Sequence, residues 1–168
     1  SAALGLPAFH VDTYHDKLSA GLAMVRLPGI RHDFRRYIAA NHIELVMCTM
    51  SHLWNAAVAG AIRPAGAKYL LALHDAVPHP GDNYLVRQWL LKSEIGKADG
   101  VLALSNHVRD QLCQVYGYPR ERSWVAPLGV FQPGMGGTPR RFPGDANAFR
   151  LLFFGRILPY KGLGLLLD

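Results

Sequence analysis

Residues 68–105 read KYLLALHDAVPHPGDNYLVRQWLLKSEIGKADGVLALS, and this stretch decides the fold. Lys68–Leu73 (KYLLAL) is apolar with almost no alternation, the pattern of a strand buried on both faces of a parallel sheet. A loop with Pro78, Pro80 and Gly81 follows, and then a helical segment, Tyr84–Lys97, with Asp82 or Asn83 as its cap. Asp99–Leu104 (DGVLAL) is a second apolar strand. Ser105 ends it and is placed to cap the next helix. Strand, helix and strand joined by short loops make a βαβ unit, whose two strands run parallel.

The alternation extends in both directions. Downstream, Asn106–Tyr116 reads as a helix stopped by Gly117, Tyr118 and Pro119, and Ser123–Ala126 as a strand closed by Pro127. Upstream, Phe34, Tyr37 and Ile38 share one face of a helix over Arg31–Asn41. Ile43–Thr49 is a short β-branched strand, and Ser51 caps a helix that runs to Ile62 before Pro64 and Gly66. Residues 1–30 are poorly periodic and interrupted by Pro7, Pro28 and Gly29. They read as loop with a short helix near Lys17–Met24.

Phe131–Ala148 changes character, with Pro133, Gly134, Gly136, Gly137, Pro139, Pro143 and Gly144 and few apolar residues. It reads as a linker. Arg150–Phe154 (RLLFF) then starts a fresh strand, Gly155–Gly162 the loop after it, and Leu163–Asp168 a helix. The expected organisation is one α/β domain over 1–130, a hinge over 131–149 and the opening of a second domain over 150–168. Ser1 is not an initiator Met, and an apolar run has just begun where the sequence stops. The expectation is a piece of a longer protein.

Composition narrows the function classes. Half of the 168 residues are hydrophobic and 18% are charged, as in ordinary globular proteins. No apolar run approaches the roughly 18 residues that a membrane span needs, and the first residues lack the basic and apolar regions of a secretory signal. The net charge of +6 suits an anionic partner, such as a nucleotide, a phosphate or an acidic membrane, and equally suits plain solubility. No basic run interleaved with aromatics points to nucleic acid. Cys48 and Cys113 fit no CxxC pattern and sit among apolar residues. They read as buried free thiols, in keeping with a reducing cytoplasm.

Ligands of open α/β sheets bind beyond the carboxyl ends of the strands. Three groups fall there: His74 with Asp75, Ser105, and the loop Gly155-Arg156-Ile157-Leu158-Pro159-Tyr160-Lys161-Gly162. Arg156 offers a planar fork and Lys161 a point charge, and a helix start follows them. Together these suit a diphosphate, although two solvated loop cations would look the same. The loop matches neither GxxxxGK[ST] nor GxGxxG. His74 suits acid–base work or a hydroxyl contact, or else is a structural strand-end histidine. A metal set of His74, Asp75 and His79 is a further reading, as in metal-dependent hydrolases. Asp75 follows a strand, however, and Pro78 and Pro80 flank His79. His10, Asp12 and His15 form a weaker set in unpatterned sequence.

The ordered elements His74-Asp75 with Pro78–Gly81, Ala98-Asp99-Gly100-Val101-Leu102 leading to Ser105, Val125–Val130 and Phe153–Leu163 resemble the retaining GT-B glycosyltransferases of the group 1 type, family 4. The resemblance runs from about Tyr69 onward. It implies two Rossmann-like domains, each a parallel sheet with helices on both faces, facing one another across a cleft. The first binds the acceptor and the second a nucleotide-sugar donor, which is substrate rather than cofactor. Gly155, Arg156, Lys161 and Gly162 would hold the donor's diphosphate, without a metal. His74, with Asp75 beside it, would lie at the reaction centre. Ser105 and Gly129 would be cleft-lining or structural, Gly129 allowing a tight turn before the linker. The acceptor would be a sugar, glycan or lipid-linked hydroxyl. Arg31, Arg35 and Arg36 would give a cytoplasmic enzyme a basic face for the inner membrane surface, or simply a solvated one. A Pro-Asn-Gly usual in the family is Pro127-Leu128-Gly129 here, and its donor-domain E-x7-E pair is not in this sequence. A family member without that pair would be a non-catalytic binding module.

Overall fold

A computed structural model describes residues 7–13, 24–50, 52–77, 84–127, 129 and 162–167. Its elements in chain order are α1 (Leu27–Ala40), β1 (Leu45–Cys48), α2 (Asn55–Ala59), β2 (Lys68–Leu73), α3 (Tyr84–Ile95), β3 (Gly100–Ala103), α4 (Asn106–Tyr116), β4 (Ser123–Val125) and α5 (Leu163–Leu167). The four strands form one sheet in the order β1-β2-β3-β4, every pair parallel. This is the expected parallel α/β sheet flanked by helices. Helices are expected on both faces, and those that join the described core pack on one.

Because each strand pairs with the next, every crossover steps the same way. Right-handed crossovers then deliver their helices to one face. The core agrees: Tyr69, Leu71, Leu73, Val101 and Ala103 cluster with Ile38 of α1, Ala59 of α2, Ile95 of α3, and Val108 and Leu112 of α4. All five strand residues share one side of the pleat. On the other side the described residues leave Leu45, Met47 and Trp124 about half exposed.

Local chemistry explains where the elements begin and end. α1 starts before Arg31, the expected first residue, and takes in both Pro28 and Gly29. Pro28 sits in the first turn, where its missing N–H has no intrahelical partner to lose. Aromatic contact fixes the helix face, since Phe9 stacks 5.5 Å from Phe34 and 5.4 Å from Tyr37. The helix between β1 and β2 is shorter than the span from Ser51 to Ile62. Only Asn55–Ala59 is helical, and Trp54 stands at its N-cap. Ser51, the expected cap, and most of Lys17–Met24 lie outside the described residues, as do the linker and the strand expected at Arg150–Phe154. α4 is as expected at both ends. Ser105 Oγ accepts the Val108 N–H at 3.2 Å, and Gly117 closes the helix at φ 63°, a conformation that favours glycine. Ser105→Ala should lower stability by about 1 kcal/mol in urea titration.

The amino ends of the strands are stapled. Asp99 accepts the Tyr69 N–H at 2.9 Å and Arg63 Nη2 at 2.7 Å. Arg122 donates to the carbonyls of Asp99 and Ala98. Desolvation raises the Asp99 pKa, but the Tyr69 N–H, Arg63 and Lys68 together outweigh it, so the carboxyl titrates below its ordinary value. A lowered folded pKa gives stability that is present above the unfolded value, about 3.9, and is lost as pH falls through the folded one. Asp99→Asn should therefore be less stable than the wild type at pH 7. The gap should close in acid unfolding curves below roughly pH 4.

Candidate functional site

The candidate residues described in the structure gather at the carboxyl ends of the strands. β1 runs out into Thr49 and Met50, β2 into His74 and Asp75, and β3 into Leu104 and Ser105. Leu73 pairs with Ala103, so Asp75 and Ser105 each lie two residues beyond one rung of the ladder. The parallel register thus brings His74, Asp75 and Ser105 to one edge, as expected from the sequence. His74 and Asp75 are exposed there, and Ser105 is half-buried.

His74 is not loose. Its Nε2 lies 2.9 Å from the Thr49 carbonyl oxygen at the end of the neighbouring strand. A carbonyl only accepts, so Nε2 carries the proton. The segment after His74 is tethered too, for Tyr116 Oη donates to the Ala76 carbonyl at 2.8 Å and Ala76 is fully buried. Ser105 Oγ is engaged as the α4 cap, which leaves its O–H able to donate.

The turn beyond β1 has its own support. Asn55 Nδ2 donates to the Met50 carbonyl at 2.8 Å and lies 3.1 Å from Cys48 Sγ. Cys48 Sγ also donates to the Met50 carbonyl, at 3.2 Å. Both cysteines are free but half-buried, not fully buried as expected. β1 is the edge strand of the described sheet, and the end of α4 is partly open, so neither thiol is enclosed on all sides. Partial burial is the largest influence on Cys48 and pushes its thiol pKa up. Below the turn, Tyr69 Oη donates to Glu94 Oε1 at 2.6 Å, and Glu94 is 3% exposed. Burial first, and the Glu94 carboxyl next, push the Tyr69 hydroxyl far above its ordinary range. Nothing in the periodicity around Asn55, Thr49 or Glu94 marks them as partners, because these contacts join separate elements.

Not all the other expected site residues are among the described ones. Gly155, Arg156 and Lys161 lie outside the described residues, as does His79. Gly162 has φ 71°, where a side chain would be strained. Gly129 is exposed, and its φ is not positive, so any turn there does not need glycine's left-handed freedom. Among the described residues no three His, Cys, Asp or Glu side chains converge to hold a metal ion. Arg31, Arg35 and Arg36 of α1 are all exposed, and no helix among the described residues is long and apolar enough to cross a membrane. A groove of about 290 Å³ between α3 and α4, lined by Leu85, Gln88, Trp89, Lys92, Val115 and Tyr116, contains none of the expected site residues.

No curated protein matches the chain in sequence. A family model does: the one described as Glycosyltransferase Family 4 matches residues 6–131.

Proposed function

The chain belongs to glycosyltransferase family 4, and from that membership we propose that it serves transfer of a sugar from a nucleotide-diphosphate donor to an acceptor hydroxyl, with retention and without a metal. The observation that carries the reading is the gathering of His74, Asp75 and Ser105 at the carboxyl edge of a parallel sheet, inside the matched region. An acceptor bound there meets exposed polar groups on a rigid frame.

The acceptor oxygen forms the new bond to the anomeric carbon on the face from which the diphosphate departs, so that configuration is retained, and the acceptor's proton passes to an oxygen of the departing diphosphate. Negative charge grows on the departing diphosphate, and Arg156 and Lys161 stabilise it. Two cations there would do the work that a divalent metal can do for a departing phosphate. His74 contacts a hydroxyl at the reaction centre, with Asp75 beside it. The basic residues Arg31, Arg35 and Arg36 fit a lipid-linked acceptor at an anionic membrane surface, with the protein at the cytoplasmic face.

The test is release of nucleotide diphosphate from a panel of nucleotide sugars by the full-length protein in the presence of EDTA. Turnover of one donor at an undiminished rate supports the reading and names the donor. Turnover that needs an added metal, and that disappears in His79→Ala, would favour a metal-dependent hydrolase. Absence of both donor binding and cleavage across the panel would favour a binding module.

A further inference from the structure

We propose that Asn55 is a positioning residue for His74: it pins the turn after β1 so that the Thr49 carbonyl holds the imidazole as its Nε2–H tautomer, leaving Nδ1 as the acceptor for a substrate hydroxyl. The substrate half of this inference rests on the glycosyl-transfer reading. The tautomer half does not.

Among the described residues, one bond fixes the ring. His74 Nε2 and the Thr49 oxygen are 2.9 Å apart. A carbonyl oxygen has no proton to give, so the ring donates through Nε2. A neutral imidazole has one N–H, and Nδ1 is then a lone-pair acceptor. Hydroxyl groups donate readily, so a ring held this way is matched to a polyol and not to a carbonyl or a phosphate oxygen. His74 is exposed, which leaves the ring open to such a group.

The tautomer therefore depends on where the Thr49 carbonyl points. Thr49 is the first residue beyond β1, past the last paired residue, Cys48. The sheet ladder does not orient its carbonyl, and the bend at Met50 must. Asn55 supplies the strongest contact to that turn, Nδ2 to the Met50 oxygen at 2.8 Å, from the first residue of α2. Two further bonds fix the start of α2, from which Asn55 reaches Met50. The Asn55 N–H donates to the His52 carbonyl at 3.0 Å, and the Trp54 N–H donates to His52 Nδ1 at 3.2 Å. Trp54 itself is 5% exposed, so the anchor of α2 is buried. The Met50 carbonyl already takes Asn55 and the Cys48 thiol, so Thr49 is the carbonyl left for His74. Removing the Asn55 amide leaves the peptide next to the one that His74 holds with only the longer Cys48 thiol contact, at 3.2 Å.

The test reads the ring directly. In the histidine-labelled protein at about pH 8.5, where an imidazole is neutral, long-range proton–nitrogen correlation separates the two tautomers. His74→Gln identifies the His74 signals. The expected wild-type spectrum is the Nε2–H form. In Asn55→Ala, and in Asn55→Asp, which keeps the shape but has no donor, the minor Nδ1–H fraction should rise by about threefold or more. Thermal melts of both variants establish that they are folded. Donor turnover should fall about tenfold in kcat, with the KM for donor unchanged. An Nδ1–H ring in the wild type overturns the proposal, as does an unaltered tautomer ratio in both folded variants. A shifted ratio in a protein that turns over no nucleotide sugar supports the positioning role and counts against the transferase reading alone.

Discussion

Arg156→Ala is expected to lower kcat for donor cleavage by about 10²–10³-fold, and Lys161→Ala by a similar factor. The reason is where charge appears. In the ground state the donor's diphosphate is already anionic, and its terminal phosphate gains further negative charge only as the sugar leaves. A cation held against that oxygen therefore binds the transition state more tightly than the substrate, and its loss falls on kcat more than on KM. Arg156→Lys should recover part of the loss, because it keeps the charge and gives up the planar fork. Free nucleotide diphosphate should inhibit both alanine variants more weakly than the wild type. His74→Ala should fall less far, since a hydroxyl contact is worth less than neutralising a leaving group. Rates within threefold of wild type for both Arg156→Ala and Lys161→Ala would remove the diphosphate assignment.

The second large effect concerns stability. Tyr69→Phe should cost roughly 3 kcal/mol, the upper range for leaving a buried polar group without its partner, which is roughly a 10 °C fall in melting temperature for a chain of this size. Glu94 is 3% exposed, the Tyr69 hydroxyl donates to it at 2.6 Å, and the Cys48 thiol interacts with both. Phenylalanine fills the same space and removes only that donor. Glu94→Gln should be much milder, because the amide oxygen can still accept the Tyr69 proton. The double variant Tyr69→Phe/Glu94→Leu removes both polar groups, and it should be more stable than Tyr69→Phe alone. Equal melting temperatures for Tyr69→Phe and the wild type would show that the buried carboxyl is satisfied without Tyr69.

That pair also shows the limit of reading a sequence. Tyr69 lies in KYLLAL and Glu94 in a helix, and each fits its own element without the other. The pairing exists because the crossover from β2 through α3 returns the helix over the strand it left. The boundary of α1 is a different case. Pro28 and Gly29 read as breakers, but proline in a first turn gives up a hydrogen bond that was never available there. The short α2 is another: a serine cap and the Pro64 and Gly66 breakers bound a segment from Ser51 to Ile62, but the chain turns after Ala59, before those breakers, to enter β2.

The sequence by itself determined the strands around Lys68–Leu73, Gly100–Ala103 and Ser123–Val125, the helix Asn106–Tyr116 with both its caps, and the parallel class of the sheet. These follow from local composition: unbroken apolar runs, a serine before a helix and a glycine after it. It also determined that His74, Asp75 and Ser105 follow strands, and hence share an edge once the strands are parallel. Only the tertiary structure decided which face of the sheet the described helices cover, that Thr49 fixes the tautomer of His74, that Asn55 holds the turn bearing Thr49, and that Glu94 is buried against Tyr69. Each joins residues from different elements, 5 to 25 positions apart. Their geometry is set by the order and hand of the crossovers, which periodicity within one segment does not carry.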